Sequence, residues 1–527
     1  MAPPAHVAIV GCGFTGTSAF FQLVDRWPVR EITLFEATGE FGPGYPYRPS
    51  ETPDYLINNT TGTMCLQPGN RRAFLDWLRG RPDVVANPDP AGHLPRALFG
   101  RFLQDVVAAT RTAAAVKGIA TRLVPAEVTD IAEDADGRVT LSWAGGSATA
   151  DLAILATGRC PPGAPPPAPL PGMTARLYPT HIPGRLLDDV PLDAECHLLG
   201  ASLSAYDVVN RLFAPESGCR FEREADGALR FVPGPNRRRV VLCSRSGRLK
   251  KVESRRRGTL ERRHLTLPAL ARLAAAGGGG IADIAALVRR EAEAHGAAVD
   301  WAAVAEPYQG CADATAVTAR AGDLLARDLT AALTPGANFL VDLAGDAAVT
   351  IWDGFAAGAL APAEERRYRR QLETAMLTYA APCPVPTAER VLALLRAGRL
   401  AVLRGVAGVT PDPASDRYRI EHRDGVALAR IVIDTSGALD RRVDGPGQPP
   451  LIAALHRRGL LRPHARDGVA AEGAAVDMTS FRAAGARSIH VAGMLLWGPG
   501  FFTSSAFMMA TVVERLLAAA FADRPAG

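Results

Sequence analysis

Short apolar runs that end in glycine turns recur along the chain. The first run, His6 to Val10, leads into the turn Gly11 to Gly16 and then into a helical pattern through Leu23, and a further apolar run covers Glu31 to Phe35. A short continuous apolar run is typical of a strand buried on both faces of a parallel sheet. The pattern predicts strand, turn, helix and strand, which is the β-α-β order of a nucleotide-binding half.

The same pattern returns later in the chain. Asp151 to Gly158 is another buried strand that ends in small residues, and the proline-rich stretch Pro161 to Pro171 is typical of a linker. Cys196 to Ala205 then repeats strand, turn and helix, and Arg239 to Arg245 supplies the next strand. These segments predict a second nucleotide-binding unit.

A helical pattern of Ala, Leu, Arg and Glu follows, for example in Ile281 to His295 and Glu364 to Met376. Strand patterns return at Ala429 to Gly437 and Ser488 to Gly493, before an apolar helix from about Ser504 to Phe521. We predict an α/β fold of two Rossmann-like dinucleotide-binding domains, each three-layered, with a mostly helical insertion. The predicted parts are 1–165 (first domain), 166–264 (second domain), 265–403 (insertion), 404–440 (return to the sheets) and 441–527 (C-terminal part of the first domain).

Composition and charge narrow the functional classes. The 527 residues exceed what one core supports, and 48% apolar with 21% charged residues is a globular composition. The net charge of +5 is small and comes from arginine runs such as Arg237 to Arg239 and Arg255 to Arg257. We interpret the second run as a solvated face and expect no nucleic-acid partner.

The spacing of the cysteines and the length of the apolar runs exclude further classes of protein. The eight cysteines include no C-x-x-C pair and no metal-type spacing with histidine, so we expect neither a metal site nor a disulfide framework. No apolar run approaches the roughly 20 residues that span a bilayer, and the start of the sequence lacks the pattern of a secretory signal. We therefore expect a cytoplasmic protein without a membrane partner.

The first glycine turn carries the strongest chemical signal. Gly11 permits the tight turn, Gly13 lets the backbone approach a pyrophosphate, and Gly16 lets helix and strand pack closely. The helix that follows offers N–H donors and a positive potential to an anion. Glu36, at the end of the next strand, can accept hydrogen bonds from ribose hydroxyls and would repel a 2′-phosphate. The alternative is that Glu36 is a solvated residue at a strand end.

The second turn has different residues at matching places. It retains Gly200 but has Ser202 and Ala205 where the first turn has glycines, and its next strand ends in Ser244 and Arg245. A hydroxyl and a guanidinium can bind a 2′-phosphate, which favours NADPH over NADH. The alternative of equal weight is a surface arginine after a structural strand.

Several segments together resemble one family. They are Val7 to Leu23, Gly42 to Tyr47, Tyr55 to Asn59 with Met64, Leu94 to Arg96, Gly100 to Leu103, and Ala156 to Gly158. They resemble the FAD/NAD(P)-binding family related to class B flavin monooxygenases, in particular the nitrosuccinate synthase branch, which N-oxidises the amine of L-aspartate. The resemblance covers most of the first 210 residues and returns near the C-terminus, where Trp497 to Ser505 departs from the common pattern.

The resemblance implies two cofactors and their contacts. FAD would lie on the first unit and NADPH on the second, with Asn58 and Asn59 beside the isoalloxazine as catalytic residues; the alternative for these asparagines is local turn bonding, and Met64 is expected to pack. The implied FAD contacts are Gly11, Gly13, Phe14, Thr15, Gly16, Glu36, Val128, Thr157, Gly158, Gly493 and Phe502. The implied NADPH contacts are Gly200, Ser202, Ser204, Ser244 and Arg245.

The implied reaction is the N-oxidation of an amine by O2. A hydride passes from NADPH to FAD, and the reduced flavin forms a C4a-hydroperoxide that a neutral amine attacks, with L-aspartate giving nitrosuccinate in natural-product biosynthesis. Arg96, Arg101 and Arg263 are the candidates for binding a substrate carboxylate. Histidines such as His6, His181 and His264 are expected to be structural.

Two other functions stay open from the sequence. An NAD(P)H-dependent flavin reductase or dehydrogenase would use the same two nucleotide-binding units and pass electrons to another acceptor. A non-enzymatic binding or redox-sensing module would fit the altered second turn at Ser202 and Ala205. No motif assigns a role to the helical insertion. No motif decides whether the protein forms a homo-oligomer.

Overall fold

The computed structural model describes residues 4–164, 166–255, 259–500 and 502–522. Arg256 and Arg257 of the second arginine run lie outside these ranges, as do Pro165 of the proline-rich stretch and Phe501 of the C-terminal stretch.

The described residues form twenty β-strands and fifteen α-helices. The strands are β1 (His6–Val10), β2 (Glu31–Phe35), β3 (Ala120–Val124), β4 (Val128–Glu133), β5 (Val139–Trp143), β6 (Gly146–Ala150), β7 (Leu152–Leu155), β8 (Arg176–Tyr178), β9 (Glu195–Leu199), β10 (Arg220–Arg223), β11 (Leu229–Val232), β12 (Arg239–Cys243), β13 (Leu400–Leu403), β14 (Gly408–Asp412), β15 (Arg417–His422), β16 (Gly425–Ala429), β17 (Ile431–Asp434), β18 (Pro463–Arg466), β19 (Val469–Ala474) and β20 (Ile489–Val491). The helices are α1 (Phe14–Arg26), α2 (Ala73–Arg79), α3 (Arg96–Val116), α4 (Leu203–Leu212), α5 (Leu267–Ala275), α6 (Ile281–Ala294), α7 (Trp301–Ala305), α8 (Ala314–Leu333), α9 (Phe339–Asp346), α10 (Ala348–Ala356), α11 (Pro362–Arg367), α12 (Glu373–Ala380), α13 (Val385–Arg396), α14 (Pro450–Arg457) and α15 (Ala506–Ala522).

The first parallel sheet combines both ends of the chain. Its order is β20-β7-β1-β2-β3, and all four neighbouring pairs are parallel. The apolar residues of β1 are almost fully buried, as expected for a central strand covered on both faces. The C-terminal strand β20 completes the sheet beside β7.

The second parallel sheet has the order β13-β12-β9-β17-β8, again with parallel neighbours throughout. Alternate residues of β12 face opposite sides, as the pleat of a strand requires. Val240 and Leu242 pack in a core with helices α4 and α13, whereas Val241 and Cys243 pack in a core with β15 of the antiparallel sheet β14-β15-β16. The layers are therefore helices, parallel sheet and antiparallel sheet, and the predicted fold class is confirmed.

The two domains repeat one another strand by strand. In the first, β1 lies between β2 and β7, and the antiparallel sheet β4-β5-β6 precedes β7. In the second, β9 lies between β12 and β17, and the sheet β14-β15-β16 precedes β17. The residues at the ends of β1, β2 and β7 therefore correspond to residues at the ends of β9, β12 and β17.

The helical insertion connects β12 to β13. Helices α5 to α13 fill residues 267–396, and the strand Leu400–Leu403 at the end of the predicted insertion belongs to the second sheet. The predicted helix Glu364 to Met376 is interrupted, because Tyr368–Leu372 form a π-helical turn between α11 and α12.

The described ranges contain neither a membrane-spanning helix nor a metal-binding cluster of side chains. No helix there has the length and apolar content needed to cross a bilayer. No three His, Cys, Asp or Glu side chains there converge as a metal ion would require.

Candidate functional site

The first glycine turn lies at the carboxyl ends of β1, β2 and β7. Gly11 has φ +93°, and its N–H donates to the carbonyl of Phe35 at 2.9 Å. A Cβ on Gly11 would lie 2.3 Å from the carbonyl oxygen of Ala156. Only glycine fits here, because the turn combines a left-handed conformation with contact to the neighbouring strand's backbone.

The other two glycines of the turn are required by close packing. A Cβ on Gly16 would lie 1.9 Å from the Gly11 carbonyl oxygen, and one on Gly13 would lie 3.2 Å from the Cα of Gly44. The loop that contains Gly44 is tied to the turn, because the N–H of Gly42 donates to the carbonyl of Cys12 at 2.7 Å. Two backbone segments thus approach each other at the start of α1.

The N-terminus of α1 is open to an anion. Gly13 is its N-cap and has no side chain to offer, so Phe14, Thr15 and Gly16 carry first-turn N–H groups without a capping partner among the described residues. This arrangement fits a pyrophosphate, which binds helix N-termini through N–H donors and the helix dipole.

Glu36 sits where the nucleotide prediction requires a carboxylate. It is half-buried, and its Oε2 accepts the N–H of Cys12 at 3.0 Å inside the turn. Its Oε1 accepts from the N–H and hydroxyl of Thr38 at 3.2 and 3.0 Å. The carboxylate is therefore fixed against the turn rather than freely solvated.

The remaining predicted contacts of the first domain come from other segments of that domain. Thr157 and Gly158 follow β7, and Gly493 follows β20, which is hydrogen-bonded to β7. Phe502 has φ +64°, an uncommon conformation for an aromatic residue. Val128 is buried at the start of β4.

The second turn repeats the backbone contacts of the first. The N–H of Gly200 donates to Cys243 O at 2.7 Å, as that of Gly11 does to Phe35 O. Gly200 has φ +126°, and its Cβ would lie 2.8 Å from Thr435 O, the counterpart of Ala156 O. Ser202 is the N-cap of α4 without a side-chain bond, and Ser204 lies in the first turn of that helix.

The strand that ends beside this second turn carries Ser244 and Arg245. The hydroxyl of Ser244 accepts the N–H of Gly247 at 3.0 Å, which shapes the loop. Arg245 is exposed, and its Nη2 lies 3.4 Å from the hydroxyl of Thr374 on α12. Its guanidinium forms no ion pair with a described residue.

A cavity of about 510 Å³ lies next to this loop. Arg404 and Arg423 line it together with Tyr308, whose hydroxyl donates to the carbonyl of Gly247 at 2.7 Å. Sequence reasoning missed these residues because three separate segments supply them.

Asn58 and Asn59 lie in a half-buried bend before the short helical turn Thr61–Thr63. Neither side chain forms a hydrogen bond with any residue that the structure describes. The two asparagine side chains therefore do not bond the local backbone of the turn. Met64, expected to pack, is 2% exposed within a cluster of aromatic residues.

The three predicted substrate arginines are separated. Arg96 is buried, its Nη2 lies 2.7 Å from Asp207 Oδ2, and its Nε donates to Leu56 O at 2.9 Å. The guanidinium therefore pairs with a carboxylate of the protein itself, and a substrate-binding role for Arg96 stays a prediction. Arg101 on α3 and Arg263 before α5 are exposed.

Asp207 was missed by sequence reasoning and joins the two domains. It lies on α4 of the second domain and pairs with Arg96 at the start of α3 in the first. Burial raises the pKa of its carboxyl to about 6, and the Arg96 guanidinium opposes that shift. An acidic residue among the apolar positions of α4 was the available signal.

His181 belongs to the same junction. Its carbonyl accepts the hydroxyl of Tyr55 at 2.8 Å, and it is only 8% exposed. Burial, with Arg96 and Arg159 nearby, lowers its pKa to about 4, and its Nε2 has no hydrogen-bond partner within the described part of the chain. His181 is therefore a neutral, buried imidazole between the domains, beside Arg159, which follows Gly158.

The first nucleotide-binding unit matches a known protein family. Residues 8–160 match the family model described as FAD-NAD(P)-binding. The uncharacterized protein YdhS of Escherichia coli (strain K12) is 27% identical over 162 residues, which are 29% of this chain and 30% of YdhS. The match thus spans under a third of that protein's length.

Two solved structures share the fold over nearly the whole chain. The ornithine N-hydroxylase of Kutzneria sp. 744 covers 98% of this chain and 99% of its own, with TM-score 0.50 and 14% identity. DfoA, the FAD-bound cadaverine monooxygenase of Erwinia amylovora, covers 100% and 97%, with TM-score 0.54 and 9% identity. This chain has the flavin monooxygenase fold. Within that fold, β1 to β7 form the FAD-NAD(P)-binding unit, and β8 to β17 form its repeat.

Proposed function

We propose that the protein is an FAD-dependent NAD(P)H monooxygenase that N-oxidises an amine. The observation that carries the proposal is the pair of equivalent glycine turns, each at the N-terminus of an uncapped helix and each followed by a strand with different terminal chemistry. One carboxylate and one arginine at equivalent places are suited to two different dinucleotides.

The first unit supplies the residues that would hold FAD. Gly11 and Gly13 leave room for the pyrophosphate, the N-terminus of α1 supplies its donors, and Glu36 is placed for the ribose. When bound, the flavin supplies hydride acceptance and oxygen activation. The protein's own part is to orient it and to keep water away from it.

The second unit would hold NADPH. Gly200 and the N-terminus of α4 correspond to the pyrophosphate side, and Ser244 with Arg245 to the 2′-phosphate. The Arg96–Asp207 ion pair supports this arrangement, because it ties the two units together through charged side chains that are both almost fully buried. Hydride transfer requires such fixed orientation between two cofactors.

Amines are the proposed substrate class, and L-aspartate is the first amine to test. The resemblance of most of the first 210 residues to the family that includes nitrosuccinate synthases supports it. The product would be nitrosuccinate after successive oxidations of the amine nitrogen, each of which consumes one NADPH and one O2 and releases one water from the oxygen that is not transferred. Arg101 and Arg263 remain candidates for a substrate carboxylate, joined by Arg159, which lies at the sheet edge after Gly158. We further propose a cytoplasmic enzyme of natural-product biosynthesis.

One observation favours a second candidate, an NAD(P)H-dependent flavin reductase or dehydrogenase. Arg96 is paired internally, and Arg101 and Arg263 are exposed on separate elements. The predicted arginines therefore do not form one carboxylate pocket, whereas electron transfer to another acceptor would need none.

Product analysis distinguishes the two candidates. The holoenzyme is reduced with NADPH without oxygen and mixed with oxygenated buffer in the presence of L-aspartate, L-ornithine, cadaverine or no amine. The monooxygenase gives nitrogen-oxidised product in proportion to the NADPH consumed with one of these amines. Peroxide formed in equal amount with and without every amine contradicts the monooxygenase and favours the reductase. Absence of bound flavin, or a flavin that NADPH does not bleach, contradicts both.

A further inference from the structure

The helical insertion contacts the first domain at the turn that follows β20. After Gly493 come the short helical turn Met494–Leu496 and then Trp497, Gly498 and Gly500. Because β20 is paired with β7, this segment begins at the edge of the sheet where Thr157 and Gly158 lie.

Arg369 of the insertion binds this segment directly. Its Nη2 donates to the carbonyl oxygens of Gly498 and Gly500, both at 2.8 Å. Arg369 lies in the π-helical turn Tyr368–Leu372, and such turns change the direction of side chains and are frequent at functional sites. One guanidinium nitrogen thus holds two carbonyls of the same turn.

Two carboxylates hold Arg369 in place. Its Nη1 donates to Glu373 Oε1 at 2.7 Å, and its Nη2 lies 3.7 Å from Glu365 Oε1. The side chains of Arg369 and Glu373 are 17% and 11% exposed, so the pair is largely removed from water. Such charge-assisted bonds are stronger than neutral ones and leave little freedom of orientation.

The bound segment fits its surroundings tightly. A Cβ on Gly498 would lie 1.5 Å from the carbonyl oxygen of Glu472, and one on Gly500 would lie 2.3 Å from the ring of Trp352 on α10. The guanidinium of Arg441 lies 4.3 Å from the ring centre of Trp497. The turn is therefore enclosed by the insertion on one side and by the C-terminal part of the first domain on the other.

We propose that Arg369 is a positioning residue through which the helical insertion fixes residues 498–500 at the flavin end of the first domain. The inference rests on the proposed function for its flavin. It assigns the insertion a role: the insertion holds the segment that follows β20 beside Thr157 and Gly158. We therefore expect loss of this hold to let water reach the flavin and to divert NADPH oxidation to peroxide.

The test compares three variants of the full-length holoenzyme. Arg369→Met removes the charge and all donors at similar length, and Arg369→Lys keeps the charge but cannot bond both glycine carbonyls and Glu373 in the same geometry. Arg370→Met is the matched control, because Arg370 is the next residue of the same turn, is exposed, and forms no ion pair within the described ranges. Thermal unfolding of each variant shows whether it is folded.

Two measurements are made on each folded variant. Hydrogen exchange of peptides covering residues 494–505 reports the hold on the segment, and the share of NADPH oxidation that ends as peroxide reports the flavin site. We expect exchange to rise about tenfold in Arg369→Met, the effect of losing a charge-assisted hydrogen bond, with an increased peroxide share. Arg369→Lys is expected to be intermediate, and Arg370→Met unchanged.

The outcomes separate this inference from the proposed function. Unchanged hydrogen exchange at residues 494–505 in Arg369→Met would show that Arg369 does not hold this segment. Raised exchange with an unchanged peroxide share would show that the hold on the segment does not affect the flavin site. Equal effects from Arg370→Met overturn the assignment to Arg369. A wild-type protein without NADPH-reducible flavin contradicts the proposed function instead, while the exchange measurement still decides whether Arg369 holds the turn.

Discussion

The turns at residues 11–16 and 200–205 have the same backbone frame and different side chains. In both, the first glycine has a positive φ and faces a carbonyl of the neighbouring strand. At the third position the first turn has Gly16, whereas the second has Ala205, which is completely buried. Only the first glycine is therefore required by the shared frame, and the third depends on how closely helix and turn approach each other.

The largest effect is expected for Gly16→Ala. The new Cβ would lie 1.9 Å from the carbonyl oxygen of Gly11, so helix α1 must move away from the turn. We expect a loss of at least about 3 kcal/mol in the free energy of unfolding, because a backbone clash in a packed region relaxes poorly. Chemical denaturation measures the loss, and purification without bound flavin is expected with it.

Ala205→Gly is the matched control at the equivalent place in α4. It should cost only about 1 kcal/mol, the difference in helix propensity between the two residues. Equal losses in both variants would show that the two turns differ less in their packing than their sequences suggest.

The next largest effect concerns the junction between the two units and depends on pH. Burial lowers the pKa of His181 to about 4, so the unfolded chain takes up this proton before the folded protein does. Stability is therefore present above the unfolded pKa of about 6.5 and is lost as the pH falls towards 4, by up to about 3 kcal/mol. His181→Gln should remove this part of the pH dependence.

The measurement is the free energy of unfolding at pH 7 and at pH 4.5 for wild type and variant. His422→Gln, in the outer antiparallel sheet, is the control and should keep the wild-type slope. A His181→Gln slope equal to that of wild type would mean that the imidazole is protonated while folded, which would contradict its place as a neutral group between Arg96 and Arg159.

The sequence predicted what is local in this comparison. β1, β2 and the positions of both turns follow from apolar runs and glycine spacing, since period and turn chemistry act within a few residues. The difference between Glu36 after β2 and Arg245 after β12 could be predicted from the sequence for the same reason. The π-helical turn that interrupts the helix between Pro362 and Ala380 was not predicted by the helical pattern.

What joins the units could not be predicted from local pattern. Within each unit, the return of the chain to the two sheets was predicted, but not which strands pair, namely β20 with β7 and β8 with β17. The Arg96–Asp207 pair joins helices of different domains, and for this reason Arg96 was assigned to a substrate. Such pairs depend on the packed fold, and no residue spacing in the sequence predicts them.

A smaller effect is expected for Glu36→Gln. The change keeps the shape of the side chain but weakens its bonds to Cys12 and to a ribose, because hydrogen bonds to a charged acceptor are the stronger ones. We expect FAD affinity to fall by about 2 kcal/mol, roughly thirtyfold, measured by flavin fluorescence during titration of the apoprotein. Glu40→Gln, at an exposed acid four residues away, should leave the affinity unchanged. No difference between the two variants would mean that Glu36 holds the turn without binding the ribose.

The smallest effect is expected at the equivalent place in the second unit. Arg245→Met removes a guanidinium that forms no ion pair with the residues that the structure describes, so folding should be unaffected. If Arg245 binds the 2′-phosphate, the Kd for NADPH rises about tenfold, or about 1.4 kcal/mol, while the Kd for NADH stays the same. Arg220→Met, on the exposed hairpin β10-β11, is the control. The same selective loss in Arg423→Met, with none in Arg245→Met, would place the 2′-phosphate in the neighbouring cavity, and the correspondence between Glu36 and Arg245 would then be one of position without function.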